Sequence, residues 1–289
     1  MTDPTTPAIG CVVLSQGNRP AELDRTLRAV LDQDDVELDL LVVGNGWTPS
    51  GLPEGVRSLP LADNVGVPGG RNIGAAAVSG EVLFFLDDDV LLLGNDLLRC
   101  VAQTFADQPD LGVLQPRSID GEGGPTAKRH VPRVGGRDPD RSGDVAWFWE
   151  GSSFVRRTAF DAAGQWPAAF FYGHEGIELA WRVVDAGFRI HYAADLQVVN
   201  PPAEPFRGEQ HRYFDGRNRV WVARRNLPLP LLVVYVLMWF VASLARASGA
   251  RRQVVRGFLA GCRESSGPRR PIGWRACARL TLLGRPPIL

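Results

Sequence analysis

The chain has 289 residues, 45% apolar and 22% charged, with no net charge at neutral pH. That length holds one large domain with an appendage or two modest domains. The composition excludes a disordered chain, except at the tip (2–7) and in one interior stretch. Charge is divided unequally, because residues 206–289 carry 16 Arg against Glu209, Asp215 and Glu264, and Lys128 is the sole lysine. The C-terminal third is therefore expected to meet an anionic partner, a membrane phosphate or a diphosphate substrate. Cys11, Cys100, Cys262 and Cys277 have no ligand spacing and fit a reducing compartment. The polar opening and the short apolar run after it are unlike a signal peptide, so a cytoplasmic catalytic part is expected.

In chain order, residues 9–14 are a short apolar run, as in a strand covered on both faces. Leu23, Leu27, Val30 and Leu31 form a helical stripe. Strands are expected at 38–43, at 56–61 more weakly, and at 82–86. An Ala-rich helix is expected at 70–78, a helix at 97–105 and a strand at 111–115. This alternation predicts an α/β fold, a Rossmann-like and mostly parallel sheet with helices on both faces. Residues 118–144, rich in Gly, Pro, Arg and Asp, read as a long surface loop, either an acceptor-side lid or a plain insertion. Residues 147–155 are aromatic and strand-like, 175–186 helical, and 188–192 a strand. Trp147, Trp149 and Trp166 either stack on a ligand or fill the core, with core packing expected for at least two. Residues 226–245 carry no charge and have the length of a membrane span. Pro228 and Pro230 interrupt its start, leaving a helix at 231–245 of about 22 Å, short of the ~30 Å hydrocarbon core. A helix lying in the membrane interface, with the Arg-rich tail on anionic head groups, is expected. The alternative is docking on the domain or on a second subunit.

Asp87, Asp88 and Asp89 directly follow the apolar strand 82–86. Ligands of open parallel sheets bind outside the carboxyl ends of the strands. Three carboxylates repel one another there unless a cation compensates, and a hard divalent ion such as Mg²⁺ or Mn²⁺ suits them. On an extended backbone residues i and i+2 share a side, so Asp87 and Asp89 are expected on the ion, with Asp88 pointing elsewhere. A turn or helix cap would account for one of the three.

With these residues the sequence resembles the family 2 glycosyltransferases of GT-A fold, from about Ile9 to Arg225. Six segments in order carry the resemblance: 11–19 (CVVLSQGNR), 41–46 (LVVGNG), 63–74 (DNVGVPGGRNIG), 85–89 (FLDDD), 151–157 (GSSFVRR) and 174–182 (HEGIELAWR). It implies a catalytic domain at 8–225, its nucleotide-binding half at 8–115 and its acceptor half at 116–225, followed by a C-terminal helical extension at 226–289. It implies inverting transfer of a sugar from a nucleoside-diphosphate sugar to a hydroxyl acceptor. Ser15, Asn18, Arg19, Asn45, Asn64, Gly66, Arg71, Asn72 and Asp88 are then expected around the donor. Asp87 and Asp89 hold the metal, with His211 as a third ligand. Arg217 and Arg219 are expected on the diphosphate, or as a solvated basic helix face. Glu175 is expected as the base that takes the acceptor proton, with Glu178, i+3 on the same helix face, in reserve or binding acceptor hydroxyls.

Two positions depart from the family pattern. Gly44 stands where an aspartate usually reads the nucleobase, and Gly176 where a second carboxylate usually follows the base. They keep open a catalytically degenerate nucleotide-sugar binding protein as the alternative. A nucleotidyltransferase is disfavoured, because only Gly17 and Arg19 follow the first strand where a Gly-rich basic loop would be needed. A lipid-linked or cell-envelope glycan acceptor, at the inner face of the cell membrane, fits the apolar helix and basic tail. Residues 229–245 are the expected membrane or dimer contact, and no nucleic-acid partner is expected.

Overall fold

The computed structural model describes residues 6–121, 124, 126–200, 209–247 and 249–289. The expected disorder of the tip lies outside these residues up to Thr5. Four strands build the first half: β1 (Ile9–Ser15), β2 (Leu38–Gly44), β3 (Arg57–Pro60) and β4 (Val82–Asp87). They pair in parallel in the order β3-β2-β1-β4. The connecting helices are α1 (Pro20–Leu31) and α2 (Val67–Ala77). Chain direction across the sheet reverses at β1, so the crevice between the carboxyl ends of β1 and β4 is open, with Leu14 in register with Asp87.

Beyond β4 the sheet is mixed. It continues through β8 (Ser152–Arg156), β6 (Leu111–Ile119), β9 (Arg189–Val199) and β5 (Leu91–Leu92), while β7 (Gly143–Asp144) pairs with β9. Strand β8 is antiparallel to both β4 and β6, whereas β6 and β9 run parallel. The aromatic stretch expected as one strand from 147 pairs only from Ser152, because residues 147–150 leave the sheet, Trp149 and Glu150 walling a pocket. Helices α3 (Leu97–Asp107), α4 (Arg157–Ala163) and α5 (Glu175–Asp185) complete this part.

Alternation within the apolar runs explains the two cores. Cys11, Val13, Phe84 and Phe154 point to the face covered by α1 and α3. Val12, Phe85 and Val155 point to the face that carries α2, α4 and α5. Successive strand side chains face opposite ways, and both faces are covered, so the runs read as continuous apolar segments rather than alternating ones. Phe84 stacks on Phe154 at 3.9 Å between ring centroids, while Phe85 meets the edge of buried Trp166 on the other side.

The stretch 118–144 is not a featureless loop among its described residues. Strand β6 runs on to Ile119, two 3-10 turns follow (Lys128–His130 and Val134–Gly136), and β7 joins the sheet. His130 and Val131 are buried, and Gln115 donates to the His130 carbonyl at 2.8 Å. Apolar content is low here because buried polar contacts take its place.

Four helices form the C-terminal region: α6 (Glu209–Asn226), α7 (Leu229–Arg246), α8 (Arg251–Arg263) and α9 (Trp274–Leu282). The prolines do not interrupt α7. Pro228 caps it and Pro230 lies in its first turn, where no backbone N–H is needed. Its 18 residues span about 27 Å at 1.5 Å per residue, longer than the 22 Å read from the sequence.

Candidate active site

Two adjoining cavities open at the carboxyl ends of β1, β2 and β4. The larger, about 940 Å³, is lined by Ser15, Asn18 and Arg19 after β1, Asn45 after β2, Asn64 and Gly66 before α2, and Asp87, Asp88 and Asp89 after β4. The smaller, about 360 Å³, is lined by Arg71, Asp87, Trp149, Glu150, Glu175 and His211, among others. Val67, Asp87 and Tyr172 belong to both.

The acidic triplet does not divide as its spacing predicts. Strand β4 stops at Asp87 and a turn follows, with Val90 N–H donating to the Asp87 carbonyl at 3.3 Å. Alternation therefore ends there. Asp88 and Asp89 both reach the Arg19 guanidinium, Asp88 at 2.5 Å, and Ser15 Oγ donates to Asp88 at 2.6 Å. Asp87 instead accepts from Arg71 at 2.8 Å. Burial, with repulsion from Asp89 and Asp88, pushes the Asp87 carboxyl above the usual range against the pull of Arg71. Burial also raises Asp88.

Asn45 organises one wall of the larger cavity. Its amide donates to Asn64 Oδ1 at 2.9 Å and to the Gly66 carbonyl, and its carbonyl oxygen accepts from Val65 N–H at 2.9 Å. That network presents Gly66 and the N-terminus of α2 to the cleft, where backbone N–H groups suit phosphate. The missing aspartate at 44 has a steric reason. A Cβ there would lie 2.1 Å from the Trp47 carbonyl oxygen, so no side chain fits.

On the second side, residues 171–174 form a strained bridge between the cavities. Phe171 (φ 65°) and His174 (φ 70°) hold left-handed backbone that non-glycine residues seldom adopt. Helix α6 pins this bridge. Asn218, fully buried, donates to the carbonyls of Phe170, Tyr172 and Gly173 at 3.1, 2.8 and 2.9 Å. His174 Nε2 meets Asp215 at 2.9 Å. Burial would raise the Asp215 carboxyl, but His174 and Arg219 outweigh it and hold it well below the usual range.

Glu175 begins α5 from this bridge and is 3% exposed, and its Oε2 has no hydrogen-bond partner. Nη1 of buried Arg71, in the same pocket, is also unpartnered. Burial raises the Glu175 carboxyl above its ordinary value. Such a group is a stronger base once ionised.

A profile described as Glycosyl transferase family 2 matches residues 11–164, more than half of the chain. The chain belongs to glycosyltransferase family 2. Solved structures share the GT-A fold. GalNAc-T7 with UDP, GalNAc and Mn²⁺ superposes with a TM-score of 0.65 at 14% identity, over 91% of this chain. This chain spans 57% of that protein's length. The mannosyltransferase PcManGT from Pyrobaculum calidifontis, with GDP-Man and Mn²⁺, gives 0.55 at 17% identity, covering 98% of this chain and 81% of that one. S. aureus TarS 1-349 with UDP-GlcNAc gives 0.60 at 15% identity, covering 94% and 83%. No curated protein matches the chain by sequence.

Within this glycosyltransferase several expected site residues stand elsewhere. Glu178 lines neither cavity, because it is buried against Arg225 at 2.8 Å, Arg182 at 3.2 Å and Asn226 at 2.9 Å, tying α5 to α6. Asn72 exchanges two hydrogen bonds with the Trp166 backbone and serves packing. Arg217 lies over the Trp221 ring at 4.1 Å and donates to the Phe170 carbonyl at 2.9 Å. Arg219 lies between Asp215 and the Trp239 ring. Neither arginine lines either of these two cavities. His211 shares the smaller pocket with Asp87, while Asp89 faces the larger one. Among the described residues no three His, Cys, Asp or Glu side chains gather as a metal cluster. Trp166 is core, Trp147 packs partly buried under Arg285, and Trp149 walls the smaller pocket.

The sequence reading missed Glu150, Asn218 and the His174–Asp215 pair. Glu150 had one local signal, a lone carboxylate ending the aromatic run WFWE. The others had none, since their partners lie more than 40 positions away.

Proposed function

We propose that the chain is an inverting, metal-dependent glycosyltransferase that moves a sugar from a nucleoside-diphosphate sugar to a hydroxyl of a lipid-linked or cell-envelope glycan. The observation that carries this reading is the pair of cavities joined at Asp87, one with the acidic triplet and the other with an unpartnered buried carboxylate. The donor set fits a hard divalent ion. Mg²⁺-type sites need only one or two carboxylates when substrate phosphates complete the coordination, and a cation would relieve the crowding of Asp87, Asp88 and Asp89. Asp87 and Asp89 would hold it. When bound, the ion neutralises charge on the departing diphosphate as a Lewis acid.

The remaining steps belong to the chain itself. Asn45, Asn64 and the N-terminus of α2 hold the nucleotide and its phosphates. Arg19 is free to turn from the acidic pair to phosphate oxygens, where its planar guanidinium fits. Glu175 Oε2 takes the acceptor proton as its oxygen attacks the anomeric carbon on the face opposite the leaving group. The strained 171–174 bridge separates donor from acceptor and keeps the two in line.

The reading also places the enzyme in the cytoplasm, with α7 on the inner face of a membrane. Among the described residues α7 is the one helix long and apolar enough to cross a membrane, and 11% of it is buried within the molecule. Leu229, Val233, Leu237 and Val241, four apart, form an exposed stripe, while Tyr235 is buried against Trp181. A helix held by one side and apolar on the other suits the interface better than a span. Arg246 ends it and Arg251, Arg252 and Arg256 follow, all four exposed, which suits anionic head groups.

Nucleotide release from UDP-, dTDP- and GDP-sugars with Mn²⁺ or Mg²⁺ tests the reading. Asp89→Ala should abolish metal-dependent donor binding. Glu175→Gln should keep donor binding and lose transfer by about 10²–10⁴-fold, the usual contribution of a positioned base. Equal transfer by Glu175→Gln and the parent would refute the base assignment.

A further inference from the structure

The smaller pocket holds a second carboxylate that no step above uses. Glu150 ends the segment that leaves the sheet before β8, and it lines the pocket with Glu175. Gly176 follows Glu175 in the first turn of α5. A Cβ at 176 would come within 2.7 Å of Glu150 Oε2 and 3.0 Å of its Cδ. The Glu150 carboxylate thus occupies the space a side chain at 176 would take, beside the base. Burial raises both carboxyls, and Glu150 is raised further by the charge of Glu175. Arg71, which moderates both, already pairs with Asp87. Two acids brought together at low exposure cost folding free energy, so packing alone is a poor reason for the arrangement. Such sites mark chemistry.

We propose that Glu150 is the second carboxylate of the acceptor site, standing beside Glu175 to share the proton that leaves the attacking hydroxyl. This rests on the transfer reading above. In the step, an oxygen lone pair of the acceptor forms the bond to the anomeric carbon. The bond from that carbon to the diphosphate oxygen breaks, and its electrons leave with the nucleoside diphosphate. The hydroxyl proton passes to Glu175, whose new O–H then donates to the Glu150 carboxylate. Gly176 is required because any side chain there would displace Glu150.

The test uses the full chain with Mn²⁺ and the same UDP-, dTDP- and GDP-sugars, water serving as acceptor. Glu150→Gln is expected to lower kcat by about tenfold or more, within the range for acid–base groups, with donor KM unchanged. Glu150→Ala should lose at least as much. Adding Gly176→Asp to Glu150→Ala returns a carboxylate to the same space and should recover most of that loss, which a purely structural role would not allow. Parent-like turnover by Glu150→Gln overturns the assignment, as does a double variant no faster than Glu150→Ala. Loss of donor binding in Glu150→Gln also overturns it, by making Glu150 a packing residue. A parent that releases nucleotide from no sugar defeats the transfer reading itself, whereas an active parent with an equally active Glu150→Gln defeats only the role of Glu150.

Discussion

Two glutamates three positions apart on one helix have opposite fates in this protein. Glu175 and Glu178 both lie in the first turn of α5 and are both buried, so periodicity alone makes them equal candidates. Their surroundings separate them. Glu178 is neutralised by two guanidiniums and an amide, while Glu175 keeps an oxygen without a partner. Held by two arginines and lining neither cavity, Glu178 has no oxygen turned to an acceptor. Glu178→Gln should therefore act on stability: breaking a buried pair from one side costs about 3–5 kcal/mol. Denaturant unfolding would measure that loss. Donor binding should persist in the fraction that remains folded, and a stable variant that has lost transfer would return Glu178 to the site.

At the scale of elements, Arg156 and Arg157 show how the sheet sets out its helices. Adjacent residues leave the end of β8 on opposite faces. Arg156 donates to the carbonyls of Phe105, Gln108 and Leu111 at 2.7–2.9 Å, closing the end of α3. Arg157 donates to those of Ala75, Val78 and Gly80 at 2.6–2.9 Å, closing α2. The last carbonyls of a helix lack partners within it, and cationic donors there also meet the negative end of the dipole. Because the N-terminus of α2 faces the larger cavity, Arg157 holds that helix from behind. Arg157→Ala should cost about 2–3 kcal/mol, typical of hydrogen bonds from a charged donor, and should weaken donor binding as α2 loosens. Wild-type stability would show that the neighbouring backbone supplies these caps.

For the whole molecule, the C-terminal basic charge divides into two uses. Arg217, Arg219, Arg224, Arg225, Arg269 and Arg285 satisfy backbone carbonyls, acids or aromatic faces within the molecule. The exposed remainder follows α7, whose outward stripe is apolar. Burying one such Leu or Val is worth about 1.5–3 kcal/mol, so Leu237→Glu should weaken binding to vesicles containing anionic lipid by tenfold or more. Raising salt should weaken the parent's binding too, since exposed charges are screened. Nucleotide release should be unaffected by the substitution. Parent-like vesicle binding by Leu237→Glu, measured by co-sedimentation, would remove the membrane from the account.

Strands β1 to β4, β6 and β9, the helices α1 to α3 and α5, and the acidic triplet at the end of β4 were legible in the sequence, because each depends on local periodicity or on a short motif. The family followed from the order of those motifs. Element ends were less legible: α7 begins earlier than its prolines suggest, and 147–150 leaves the sheet. What the tertiary structure decided is which charged groups are neutralised. Arg19 against Asp88 and Asp89, Arg225 against Glu178, and Glu150 beside Glu175 join residues that lie 25 or more positions apart. Charge interactions act through space and their strength depends on burial, so neither the pairing nor the unpartnered oxygen of Glu175 can be read from spacing along the chain.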